Sequence, residues 1–203
     1  MKQNQTIWQT RVIDLAKKNG IVRPRDIESL GMPREYLLRL MKRGLLERVG
    51  RGLYVVPGSL QSESRQIAEI AKRVPQGVVC LLSALQYHGH TTQLPHETWL
   101  ALESPGWHPK LDYPPVRIVW MNKKPFEFEI EEHVIDRVPV RVYGVAKTVA
   151  DCFKFRNKIG IDVAIEALRE VRRKKTVSMN TLWEAAKVCR VTRIMRPYME
   201  VIA

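Results

Sequence analysis

At 203 residues, with 45% apolar and 27% charged side chains, the chain has the balance of one or two globular domains around a buried core, which excludes a disordered tail. No run of about 18 apolar residues occurs, and the polar start Met1-Lys2-Gln3-Asn4-Gln5-Thr6 has no apolar segment, so neither a membrane span nor a secretory signal is expected and the protein is read as cytoplasmic. The net charge of +13 points to a polyanionic partner, and it is unevenly placed. Residues 1–58 carry 12 Lys and Arg against 5 Asp and Glu, residues 59–139 carry 8 against 10, and residues 140–203 carry 14 against 6.

Ile7, Trp8, Val12, Leu15 and Ala16 recur at helical spacing before Asn19-Gly20, which predicts a first amphipathic helix over 6–18. Pro24 suits the first position of a second helix that Gly31 ends in a tight turn, and Pro33 opens a third in the same way. On a helical wheel, residues 33–43 place Tyr36, Leu37, Leu40 and Met41 on an inner arc. Glu35, Leu38, Arg39 and Lys42 form the outer arc, with Arg34 and Arg43 at its edges. Leu38 is the odd member, either a contact to a thymine methyl or packing against the second helix. Gly44 stops the helix, and Leu46–Val49 and Leu53–Val56 read as short strands around Gly50-Arg51-Gly52. A basic helix running into a basic hairpin is the pattern of a winged helix-turn-helix, expected over 1–58.

A linker, Pro57 to Ser62, leads to a helix over 65–74 capped by Ser64 and broken by Pro75-Gln76-Gly77. An apolar run at 78–82, a helix from Ser83 to His88, and strands at 98–102, 116–120, 126–131 and 138–142 follow. Four helices near 145–156, 161–173, 178–189 and 191–201 close the chain. Strands first and helices after predict an α+β second domain, 59–203, with a small, mainly antiparallel sheet and a C-terminal helical cluster.

With these elements placed, the sequence resembles the AbiEi family of antitoxins and transcriptional autoregulators of bacterial type IV (abortive infection) toxin–antitoxin systems. The resemblance rests on Arg39-Leu40-Met41-Lys42-Arg43-Gly44-Leu45-Leu46 with Gly52-Leu53-Tyr54 in the first half. In the second half it rests on Cys80-Leu81-Leu82-Ser83-Ala84-Leu85 through His88-Gly89, on Pro95 to Leu102, and on Lys147-Thr148-Val149-Ala150-Asp151-Cys152-Phe153-Lys154. It implies a non-catalytic autorepressor, with a role in phage defence, that binds inverted repeats upstream of its operon. It also implies neutralisation, direct or indirect, of a nucleotidyltransferase-like toxin. The different class is a metal- or ligand-responsive winged-helix regulator without a toxin partner.

For DNA, Arg39 and Lys42 are the expected base contacts with Arg34 and Arg43 beside them, while Arg23, Arg25, Arg48 and Arg51 are expected on phosphates. Lys154, Arg156, Lys158, Arg172, Arg173, Lys174 and Lys175 form a second basic surface for DNA or a partner. Other chemistries are weaker. Cys80, Cys152 and Cys189 lack C-x-x-C spacing and read as buried free thiols. His88, His90 and His96 with Glu97 do not have the spacing of a tight metal site, and no metal or cofactor is expected. Glu127, Glu129 and Glu131 alternate with Phe126, Phe128 and Ile130 as on a half-exposed strand, and no [D/E]-x-K of a metal nuclease occurs. Ser83 reads as a helix cap rather than a nucleophile partnered by His88 and Asp151, because no Gly-x-Ser-x-Gly elbow, P-loop or dinucleotide fingerprint is present.

Overall fold

The computed structural model describes residues 2–60, 62, 64–109, 111 and 113–202, with side chains from residue 7 onward. Gln61, inside the expected linker, lies outside them. The chain divides into two compact units, one of residues 1–75 with 134–140 and one of residues 76–133 with 141–203.

The first unit begins with α1 (Lys2–Asn19), α2 (Pro24–Glu28) and α3 (Glu35–Lys42), followed by the hairpin β1 (Glu47–Gly50) and β2 (Leu53–Val55), and by α4 (Arg65–Arg73). Val12, Ala16, Ile27, Tyr36, Leu37 and Leu40 supply apolar faces to one core, closed from the hairpin by Leu46 and Tyr54. Trp8 meets Tyr36 edge to face at 5.9 Å between ring centroids. The hairpin is not left as an isolated pair, because Val22 and Tyr54 exchange backbone hydrogen bonds of 2.8 and 2.9 Å and add a third short strand. Residues 134–140 bring a further turn to this unit, and a Cβ on Gly20, whose φ is +68°, would overlap the carbonyl oxygen of Asp136.

The second unit contains β3 (Val78–Val79), α5 (Leu81–Tyr87), β4 (Thr98–Glu103), β5 (Val116–Met121), α6 (Lys123–Glu127) and, outside residues 134–140, β6 (Ile130–Ile135) and β7 (Val138–Tyr143). The helices α7 (Val145–Lys154), α8 (Arg156–Ile159), α9 (Ile161–Lys174), α10 (Met179–Val188) and α11 (Thr192–Ile202) complete it. Its five strands run in the order β5-β4-β3-β7-β6. The expected α+β class is observed, and the sheet is mixed: β3 pairs antiparallel with β4, while β3/β7 and β4/β5 are parallel. Parallel neighbours need long crossovers, and the segments from 80 to 137 between β3 and β7 and from 104 to 115 between β4 and β5 provide them. The core of this unit gathers Trp99, Ala101, Val119 and Met121 of the sheet with α5, α7, α9, α10 and α11.

Two local expectations change. The strand expected at 126–131 begins only at Ile130, because Lys123–Glu127 forms α6 and Glu129 turns with φ +54°. Glu129 leaves the row of outward carboxylates: its Oε2 accepts the N–H of Lys147 at 2.6 Å. Gly144, the N-cap of α7, has no side chain to offer, so a carboxylate from another element satisfies the free amide. Burial raises the Glu129 carboxyl above the ordinary range, against the lowering effect of that hydrogen bond. The second change is at Ser83, which is not the cap of α5. Cys80 holds the N-cap position, and Ser83 Oγ accepts the N–H of Trp99 at 2.9 Å inside the unit.

Candidate nucleic-acid interface

The presentation of α3 follows from its two ends. After α2, Gly31 takes φ +75°, the N–H of Gly31 reaches the carbonyl of Glu28 and that of Met32 reaches Ile27. After α3, Gly44 takes φ +70° and the same pattern joins Gly44 to Met41 and Leu45 to Leu40. Both are Schellman-type stops, which need a left-handed residue and satisfy the last carbonyls. They hold α3 between two sharp turns with Tyr36, Leu37 and Leu40 buried. Glu35, Leu38, Arg39 and Lys42 are left exposed, flanked by exposed Arg34 and Arg43. The Arg34 guanidinium lies 3.5 Å from the Glu35 carboxylate, both largely in solvent, where such a pair contributes little.

The hairpin supplies the second tool. Glu47 pairs with Val55, Arg48 with Tyr54 and Gly50 with Leu53, with a bulge between Arg48 and Gly50. Arg51 is exposed at the turn beside Gly52, whose φ is +70°. Arg48 is exposed and its Nε donates to the Gly50 carbonyl at 3.1 Å, which lays its guanidinium along the wing. Arg25 is exposed on α2. A helix with a basic outer arc and a wing with basic residues at strand and tip is an arrangement able to place side chains in a groove and on neighbouring phosphates.

Arg23 is placed differently from its seven companions. Its guanidinium lies 3.0 Å from Asp26 and donates to the backbone carbonyl of Lys72, while its own N–H donates to Asp26 Oδ2 at 2.9 Å. Lys72 Nζ adds an ion pair with Asp26 at 3.6 Å. Burial alone would raise the Asp26 carboxyl, but the Arg23 hydrogen bonds and the Lys72 and Arg23 charges outweigh it and hold the group below its ordinary value. Arg23 therefore ties the start of α2 to the end of α4. Sequence reading missed Lys72 and Arg73, whose only local signal is two cations in the last turn of an amphipathic helix.

In the second unit, Lys154 and Lys158 are exposed around the α7–α8 junction, and half-buried Arg156 donates to the Phe153 carbonyl at 3.0 Å. Arg172, Arg173, Lys174 and Lys175 cluster at the C-terminal end of α9, where cations complement the helix dipole. Arg173 pairs with Glu170 at 2.8 Å, and Lys174 reaches both Glu170 at 3.8 Å and the Gly89 carbonyl. Part of this charge is thus engaged within its own unit. Lys187, Arg190, Arg193 and Arg196 add exposed cations on and after α10 and along α11.

Several of the groups that resembled other chemistry have structural partners. His88 Nε2 lies 2.8 Å from the Tyr143 carbonyl, Ser83 serves Trp99, and Asp151 pairs with Lys147, so no nucleophile–base contact links the three. Among the described residues, no group of three or more His, Cys, Asp or Glu is placed to hold a metal. All three cysteines are buried free thiols, with burial first and the Asp151 charge next raising each well above the ordinary range. No helix among the described residues is long and apolar enough to cross a membrane.

Against this geometry, residues 11–57 match the family described as transcriptional regulator, AbiEi antitoxin. The matched segment contains α2, α3 and the wing. Among solved structures, the crystal structure of the RV2827C protein from Mycobacterium tuberculosis is similar over 92% of this chain and 77% of that one, with a TM-score of 0.53 at 12% identity. At that identity the likeness is one of fold. No curated protein matches the chain.

Proposed function

We propose, on the premise that residues 11–57 match the AbiEi antitoxin transcriptional-regulator family, that the protein is a bacterial type IV antitoxin that represses its own operon. The winged helix reads double-stranded operator DNA in inverted repeats, and the rest of the chain serves antitoxin action against a nucleotidyltransferase-like toxin, directly or indirectly. The protein acts in the cytoplasm and without catalysis. The observation that carries the reading is the exposed outer arc of α3, with Arg39 and Lys42 between Arg34 and Arg43, beside a wing bearing Arg48 and Arg51. Bases are contacted by Arg39 and Lys42, and phosphates by Arg25, Arg48 and Arg51. The Lys154–Lys158 and Arg172–Lys175 clusters provide a second surface for DNA or the toxin.

The test is co-expression of the full chain, and of its Arg39→Ala form, with the gene beside it. The expected result is growth rescue by both and promoter repression by the unaltered chain alone. Repression without rescue would identify a regulator that has no toxin partner, and rescue without repression of any promoter would remove the autorepressor role.

A further inference from the structure

Leu38 is the one large apolar side chain on the outer arc of α3. It is 44% exposed, outside the core that takes Tyr36, Leu37 and Leu40. Packing against α2 was one of its two readings, and that exposure argues against it. Its neighbours one turn away on the helix surface are Arg34 and Glu35 on one side and Met41 and Lys42 on the other, with Arg39 next in sequence. Scattered exposed leucines carry no message by themselves. This one stands in the middle of the surface assigned above to base edges, where every exposed neighbour on the arc is charged.

The major groove offers one apolar feature, the C5-methyl group of thymine; its other edge groups are hydrogen-bond donors and acceptors. A leucine there is unable to pair with a guanine or adenine edge and leaves it desolvated without a partner, but it covers a methyl group at no polar cost. We propose that Leu38 is a specificity-determining residue that reads a thymine methyl. Four residues of helix rise about 6 Å, or about two base-pair steps. The thymine therefore lies within about two base pairs of the base taken by Arg39 or Lys42. The inference rests on the DNA-binding reading above and assigns part of the base pattern that reading leaves open.

The test uses the full-length protein and a pool of random duplexes, from which bound sites are selected and sequenced. One thymine at a time in a selected duplex is then replaced by deoxyuridine, which removes only the methyl group. At one position the replacement weakens binding by the original protein about fourfold, the worth of one methyl contact. The same replacement leaves the Leu38→Ala protein unaffected, and Leu38→Met, which keeps an apolar contact, retains part of the discrimination. Selected sites without a fixed thymine, or a deoxyuridine penalty equal in the original and Leu38→Ala proteins, would overturn the thymine assignment while sequence-selective binding still upholds the DNA-binding reading. A pool from which nothing is selected would overturn that reading and the inference together.

Discussion

The guanidinium of Arg73, at the end of α4, occupies the space into which a side chain on Gly50 of the wing would project, so that a Cβ there would overlap its Nη2. The wing is thus seated on a helix that lies outside the segment 11–57 matched to the regulator family.

Two glycines of the wing should respond differently to alanine. At Gly50 the obstacle is the far end of a flexible side chain, so Gly50→Ala is expected to cost under about 1 kcal/mol of stability, because only Arg73 must move. Its displacement is expected to loosen the wing and weaken binding to all duplexes alike, as follows from the proposed backbone contacts of the wing. At Gly52 the space is open apart from Pro24 Cδ at 3.8 Å, but φ is +70°, and Gly52→Ala is expected to cost about 1–2 kcal/mol. Urea denaturation beside gel-shift assays separates the two, and equal stability losses would contradict the account.

Asp26 links Arg23 and Lys72, and its carboxyl is held below the ordinary value. A carboxyl lowered in the folded state contributes stability that is present above its unfolded value, near 3.9, and is lost as pH falls through the folded value. Asp26→Ala is expected to cost about 1–2 kcal/mol near neutrality. That cost should shrink as the pH is lowered below about 4. Thermal unfolding of both proteins from pH 7 to pH 3 checks the sign, and a difference that grew on acidification would refute it.

Lys147 and Asp151 form an ion pair in the second unit with side chains 0% and 2% exposed, the Asp151 carboxylate also accepting from the Cys189 thiol at 3.3 Å. The Lys147 ammonium lies 4.1 Å from the centroid of the Tyr143 ring. Removing one partner leaves the other charge buried and alone, so Lys147→Met is expected to destabilise by about 3–5 kcal/mol. Lys147→Met with Asp151→Leu should recover most of that loss. A double variant no more stable than the single one, in equilibrium denaturation, would show that the pair is required for packing rather than for charge balance.

Arg39 and Arg51 should lose binding in distinguishable ways. Arg39→Ala is expected to weaken operator binding by about 1–3 kcal/mol and to relax one base preference. Arg51→Ala is expected to weaken all sequences alike and to reduce the salt dependence by about one unit. Affinities measured for specific and random duplexes over a salt series decide both.

Much of the first unit was legible because its signals are local. The wheel over 33–43 separates Tyr36, Leu37 and Leu40 from Leu38, Arg39 and Lys42 as the structure does, and Gly31 and Gly44 stop their helices where a left-handed residue is required. The errors share one cause. Glu129 looked like part of an alternating strand and caps α7, and Ser83 looked like a cap and serves Trp99, while the partners that Arg23 has besides its expected phosphate, Asp26 and Lys72, went unread. Each of these partners, apart from Asp26, stands between 16 and 49 residues away, beyond the reach of periodicity or capping rules.

What the amino-acid sequence by itself determined is the charge at the two ends of the chain, the winged-helix pattern and the identity of the outward side chains on α3. All of these depend on spacing within a few residues, where backbone geometry dictates which side chains share a face. Tertiary structure alone decided which cations are already engaged, that α4 seats the wing through Arg73, and that Leu38 stays largely in solvent rather than packing on α2. Those outcomes depend on which distant groups meet, and burial then selects the partners, because a polar group taken out of water must be paired while an exposed one is left for a ligand.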